Sequence, residues 1–114
     1  MAFEVNLNLR DELGQPLNLE HPLHRPVIAN ATQPVDAVVR SLTPPPLARY
    51  AIITVELPAA ILLRFWLNGV DPTAGNGHRA TDDTTITLTA AAQLAGFRYV
   101  AVGAGTGWLQ ISYF

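Results

Sequence analysis

Tyr50-Ala51-Ile52-Ile53-Thr54-Val55-Glu56 opens the stretch that decides the fold, Tyr50 to Phe114, which also holds the runs Thr84-Thr85-Ile86-Thr87-Leu88-Thr89 and Trp108 to Tyr113. In the first run Ala51, Ile53 and Val55 alternate against Tyr50, Ile52 and Thr54. A period of two is the mark of a strand, whose successive side chains point to opposite faces. The second run is rich in β-branched residues, which suit a pleated surface. Between them, Ile61 to Leu67 places Leu63, Phe65 and Leu67 on one face and Leu62, Arg64 and Trp66 on the other. Both faces are largely apolar, so this strand is central or meets a partner. Pro58-Ala59-Ala60 separates it from the Tyr50 run, and the short spacing reads as a hairpin.

After Leu67, Asn68-Gly69 and Asp71-Pro72 open a loop that runs to about Asp83. Ala90 to Ala95 favours one or two turns of helix, with Gly96 as its stop. Phe97 to Val102 and Trp108 to Tyr113 read as strands joined through Gly103-Ala104-Gly105-Thr106-Gly107. The apolar faces of these runs nominate Val55, Phe65, Leu67, Ile86, Leu88, Phe97 and Ile111 as core.

Upstream the pattern is less regular. Phe3 to Arg10 alternates strictly and reads as a half-buried strand, and Asp11 to Pro16 supplies turn chemistry. Residues 10–34 form a proline-rich arm or loop, with Leu17, Leu19, Leu23, Val27 and Ile28 spaced among Pro22, Pro26 and Pro34 and one short strand at Arg25 to Ala29. Proline lacks the ladder donor and biases its predecessor to extended geometry. Val35 to Leu42 reads as a strand. Pro44-Pro45-Pro46 cannot sit inside a sheet and marks a corner between two sheets or two parts of the domain. The expectation is one all-β domain over residues 1–114, an antiparallel β-sandwich or jelly roll of seven or eight strands. It has at most one short helix near 90–95 and an extended N-terminal arm.

Composition narrows function by exclusion. The 114 residues contain no cysteine and no lysine; seven arginines face nine acids, for a net charge of −2. Disulfide, thiolate-metal, Schiff-base and P-loop lysine chemistry are therefore absent. The arginines are scattered singly, which argues against nucleic acid as a partner. The start has no basic n-region, and the longest apolar run, Leu57 to Leu63, is too short to span a bilayer, so neither a signal peptide nor a membrane partner is expected.

No constellation reads as a chemical site. His21 and His24 stand three apart, but Pro22 and Pro26 oppose a helix, and Glu20 is the one further donor nearby. Gly75-Asn76-Gly77-His78 lacks the ending of a phosphate loop. Asp71, Asp82 and Asp83 do not have the spacing of a calcium loop. Ser41 and Ser112, the two serines, lie in strands outside any elbow motif. The expectation is therefore no catalytic, cofactor or metal residue, and no enzyme. Trp66, Trp108, Tyr50, Tyr99 and Tyr113 could form a sugar-binding shelf, though aromatics on strands are usually core.

The segment Tyr50 to Phe114 also carries an ordered series of motifs: Arg64-Phe65-Trp66-Leu67-Asn68-Gly69-Val70-Asp71-Pro72-Thr73, then Gly77-His78, Thr84 to Leu88, Phe97-Arg98 and the terminal Ile111-Ser112-Tyr113-Phe114. This order resembles small structural proteins encoded among the virion genes of tailed bacteriophages. The resemblance implies a β-sandwich that decorates or cements a capsid, or attaches to the neck or tail. Its partners would be the major capsid protein or other virion proteins, and it would be a homo-oligomer, a dimer or trimer. It would be assembled in the host cytoplasm and carried in the virion. On that reading Leu17, Leu19, Leu23, Val27 and Ile28 are expected to make intersubunit contacts. The alternative is a neck- or tail-associated module that binds a host-surface glycan through Trp66, Asn68 and Asp71.

Overall fold

The computed structural model describes residues 26–114. The elements are β1 (Ala29–Val35), β2 (Arg40–Ser41), β3 (Ala51–Glu56), β4 (Leu62–Trp66), β5 (His78–Ala80), β6 (Thr85–Leu88), α1 (Ala91–Gly96), β7 (Arg98–Val102) and β8 (Gly107–Tyr113). Two four-stranded sheets pack face to face, the first in the order β1-β8-β3-β6 and the second in the order β2-β7-β4-β5. Every pairing is antiparallel.

The pairs are nested. The first strand meets the last, the second the seventh, the third the sixth and the fourth the fifth. The chain is thus one long hairpin wrapped around a core, its turn lying between β4 and β5. That connectivity is a jelly roll. It resolves the choice left open by the sequence and confirms the sandwich, with one short helix among the described residues.

Alternation sets the inside. Ala51, Ile53 and Val55 of β3 and Leu109, Ile111 and Tyr113 of β8 are buried, as are Ile86 and Leu88 of β6. From the second sheet Leu63, Tyr99 and Ala101 face them, with Leu94 of α1 and Phe97 closing one end. Phe65 and Leu67 were expected in the core, and both are only partly buried against it. They lie where β4 leaves the sandwich, so one side of each meets the loops rather than the opposite sheet. Phe65 still stacks on Phe97 at 5.3 Å, and Phe97 on Tyr99 at 5.8 Å.

The two sheets are also tied by polar groups. Gln33 Nε2 donates to the Tyr99 hydroxyl at 2.8 Å and to Ser41 O at 3.0 Å. The Tyr99 hydroxyl in turn donates to Pro34 O at 3.1 Å. A buried phenol that both accepts and donates carries no unsatisfied-group penalty. Burial pushes the Tyr99 phenol above its ordinary pKa, with the Gln33 hydrogen bond opposing the shift.

Four expectations are corrected. The Tyr50 and Ile61 runs are not a hairpin: β3 pairs with β6 and β8, and β4 with β5 and β7. The link between them crosses from one sheet to the other, turning at Ala60 with φ 68°. Val35 to Leu42 is not one strand. Asp36 Oδ1 accepts from Val38 N at 3.1 Å and breaks the run into the end of β1 and the short β2. The arm expected over residues 10–34 is too long at its C-terminal end, because 29–34 belong to β1. Pro34 is tolerated there since β1 is a sheet edge. Finally, β5 interrupts the loop expected from Asn68 to Asp83.

Two other readings hold for reasons the sequence did not supply. The triple proline does join two sheets, carrying the chain from β2 to β3. Helix α1 does end at Gly96, but the glycine is required by close packing: a Cβ there would collide with Leu67 O. Gly69 N also donates to Gly96 O at 2.8 Å, which docks the helix end on the β4–β5 link.

Candidate functional site

Antiparallel order sorts the links onto two ends. Links 36–39, 57–61, 81–84 and 103–106 lie at one end. Links 42–50, 67–77 and 89–97 lie at the other, together with the entry to β1 and the terminal Phe114. Ile28 N donates to Tyr113 O at 2.7 Å and Arg49 N to Phe114 O at 2.8 Å, so the first described residues and the proline corner meet around the last strand.

This second end carries most of the exposed large apolar side chains among the described residues. Val27 is 49% exposed, Ile28 45%, Leu47 88% and Val70 53%. Of the residues expected to make intersubunit contacts, Val27 and Ile28 are therefore on this end and open to solvent. Leu17, Leu19 and Leu23 lie outside the described residues.

Leu47 was not foreseen. Ala48 N donates to Pro45 O at 3.2 Å, closing a four-residue turn in which Pro46 and Leu47 are the central pair. Leu47 has φ 73°. Proline first and a positive-φ residue second is the type II pattern, whose second position favours glycine. A leucine there costs about 1–2 kcal/mol of backbone strain. The Pro-Pro-Pro-Leu string was a sequence signal for a rigid corner; the sign of φ was not readable from it.

The alternative glycan residues do converge. Trp66, Asn68 and Asp71 line one shallow cleft of about 300 Å³ together with Val70, Thr73 and Asn76. Local turn chemistry builds it. Asn68 Oδ1 accepts from Val70 N at 3.3 Å beside Gly69, whose φ is 81°. Thr73 and Asn76 exchange backbone bonds of 3.0 and 3.3 Å around a two-residue turn. Arg64 Nη1 donates to Gly77 O at 2.8 Å and pins the far side of the loop to β4. Two of the cleft's chemical groups have neighbours within the protein. His78 meets the Trp66 ring edge-on at 5.3 Å, and the Arg98 guanidinium lies 4.0 Å from Asp71.

The three aspartates do not form a site. Asp71 is at the end with the proline corner, whereas Asp82 and Asp83 are in the 81–84 link at the opposite end. There Asp82 Oδ1 accepts from Leu57 N at 2.9 Å, a structural tie between two links. Nor do Asp82 and Asp83 open a hairpin, since β5 and β6 belong to different sheets. Among the described residues no group of three or more His, Asp or Glu is placed to hold a metal ion, and no helix is long and apolar enough to cross a membrane. His21 and His24 lie outside the described residues. Of the proposed aromatic shelf, Tyr99 and Tyr113 are core, and Trp66 and Trp108 stand on different sheets.

Compared with protein-family models, with curated proteins and with solved structures, the chain matches none of them.

Proposed function

We propose that this protein is a non-enzymatic structural subunit of a tailed-phage particle, a capsid decoration or cement protein that docks through its proline end. The observation that carries the reading is Leu47: a leucine in a turn position that favours glycine, 88% exposed on a rigid proline corner. Strain of that kind persists where the surrounding structure enforces it, and it concentrates at contact sites. Burying such a side chain returns about 1.5–3 kcal/mol. Val27, Ile28 and Val70 are further exposed apolar side chains at the same end.

The motif order from Arg64 to Phe114 supports the particle as the setting, and the jelly roll is an architecture shared by viral capsid domains. Many copies on a lattice need no catalytic group; each interface needs only enough buried area, about 1,600 Å² for a typical specific contact. The first described residues enter β1 at this same end, where Ile28 N donates to Tyr113 O. The neck or tail glycan-binding reading has the Trp66 cleft in its favour, but the engagement of Trp66 by His78 and of Asp71 by Arg98 leaves it the weaker of the two.

The test is imaging of particles assembled with and without the protein. The expected result is loss of a surface density from the shell, with the particle less resistant to heat. A particle whose shell is unchanged and whose tail tip or neck has lost density would overturn the decoration reading.

A further inference from the structure

The outward face of the first sheet was not singled out by any motif. Its register places three rungs side by side: Asn30, Ser112, Ile52 and Thr87; Thr32, Gln110, Thr54 and Thr85; Pro34, Trp108 and Glu56. Asn30, Ser112 and Ile52 of the first rung and Thr32, Gln110 and Thr54 of the second line a shallow depression of about 460 Å³. Trp108, on the same strand face two residues from Gln110, is 46% exposed. Glu56 is the single ionisable side chain in these rungs.

The polar groups hold one another in place. The Ser112 hydroxyl donates to Asn30 Oδ1 at 2.9 Å, and the Thr32 hydroxyl donates to Gln110 Oε1 at 2.7 Å. Gln110 Nε2 then donates to Glu56 Oε1 at 3.2 Å. Each bond crosses between strands, so side chains that would rotate freely on an ordinary outer face are fixed. What remains free is a mixed set: the Asn30 amide N–H groups, the Thr54 hydroxyl, the outer lone pairs of Thr32 and Ser112, and the second Glu56 oxygen. Ile52 gives the depression an apolar floor, and Trp108 with Pro34 forms an apolar platform at its margin.

We infer that this face binds a neutral glycan chain, stacked on Trp108 and hydrogen-bonded along the Asn30–Ser112 and Thr32–Gln110 rungs. A sugar hydroxyl donates and accepts at once, which a mixed and preorganised array satisfies and a one-signed array does not. A pyranose ring also has apolar C–H faces, which an exposed indole covers. The absence of any cation from the rungs disfavours phosphate, sulfate and nucleic-acid ligands. The site is on the flank of the sandwich, running from the Asn30–Ser112 rung near the proline end to Trp108 at the opposite end, so its Trp108 side stays open on a particle-bound subunit.

The test uses the full chain and three neutral probes, cellohexaose, maltohexaose and chitohexaose, by calorimetry and by the indole N–H signals in NMR. At least one probe is expected to bind with a dissociation constant of about 1 mM or tighter. Its addition should shift the Trp108 indole signal and leave that of Trp66 in place. Trp108→Ala and Gln110→Ala should each weaken binding about tenfold or more, while Trp66→Ala should not. No binding of any probe overturns the inference, as does binding that survives both Trp108→Ala and Gln110→Ala. A shift of the Trp66 indole in place of Trp108 overturns it too and moves the sugar to the β4–β5 cleft. None of these results bears on whether the proline end docks.

Discussion

The two ends of the jelly roll are built on opposite plans. At the end formed by 36–39, 57–61, 81–84 and 103–106 the links are short and tied to one another. Asp36 holds Arg40 through two bonds, of 3.1 and 2.8 Å, and its carbonyl accepts from Ala101 N at 2.8 Å. Asp82 reaches across to Leu57 N. Gly103 brings its backbone against Ile61, and Gly107 lies so close to Glu56 O that no Cβ fits between them. At the other end the links are long, hold a proline corner and a helix, and leave Leu47 and Val70 in solvent. A fold that closes one end tightly and leaves apolar side chains on the other has separated the part that holds it together from the part left for contact.

The sharpest stability contrast lies just beneath the proline end. Phe97 is fully buried there and stacks on both Phe65 and Tyr99. Phe97→Ala should cost about 3–5 kcal/mol in denaturant unfolding. The exposed Val70→Ser, a short distance away, should stay within about 0.5 kcal/mol. Equal effects would mean that the whole end is core and the distinction fails. Next in size is Gly107→Val near the tight end. The new side chain must displace Glu56 O from the β3–β8 ladder, a loss of about 2–3 kcal/mol.

Leu47→Gly should act in the opposite direction on stability and function. Removing the φ strain and adding glycine's entropy penalty nets a gain of about 0.5–1 kcal/mol. Particle binding should weaken at the same time. A variant that loses stability would show that Leu47 is not strained, and one that binds unchanged would show that it is not a contact.

The smallest effect is expected at Asp36. The Arg40 hydrogen bond, helped by the Val38 N–H, holds its carboxyl below the ordinary value of 3.8. A folded-state pKa that is lowered contributes stability above the unfolded value, and that stability is lost as pH falls through the lowered one. The pair is solvent-exposed, so the contribution is screened. The stability difference between wild type and Asp36→Asn should therefore be present at neutral pH and shrink below the ordinary carboxylate value. A difference that grows on acidification would contradict the sign.

How far these features were legible in the sequence depends on the range of the interaction behind each. Strands β3, β6 and β8 and helix α1 were readable because alternation and alanine-rich composition act within a few residues. The sheet to which each strand belongs was not. A five-residue link between apolar runs has the same composition whether it turns within one sheet or crosses to another, and only the long-range pairing of β3 with β6 and β8 and of β4 with β5 and β7 distinguishes them. Trp66, Asn68 and Asp71 came together because they share one loop. The face around Trp108 needed Asn30, Thr32 and Thr54 from two other strands, and Leu47 needed a dihedral angle; neither is written in local spacing.

The central claim is that the proline end is the docking surface. It is tested most directly by placing one carboxylate at each end and measuring binding to particles that lack the protein. Leu47→Asp and Val38→Asp both alter exposed side chains, Leu47 at the proline end and Val38, 59% exposed, at the tight end. The account predicts that Leu47→Asp lowers affinity about tenfold or more, and that Val38→Asp binds like the wild type. Loss of binding in Val38→Asp with Leu47→Asp unaffected would contradict it and assign the contact to the opposite end.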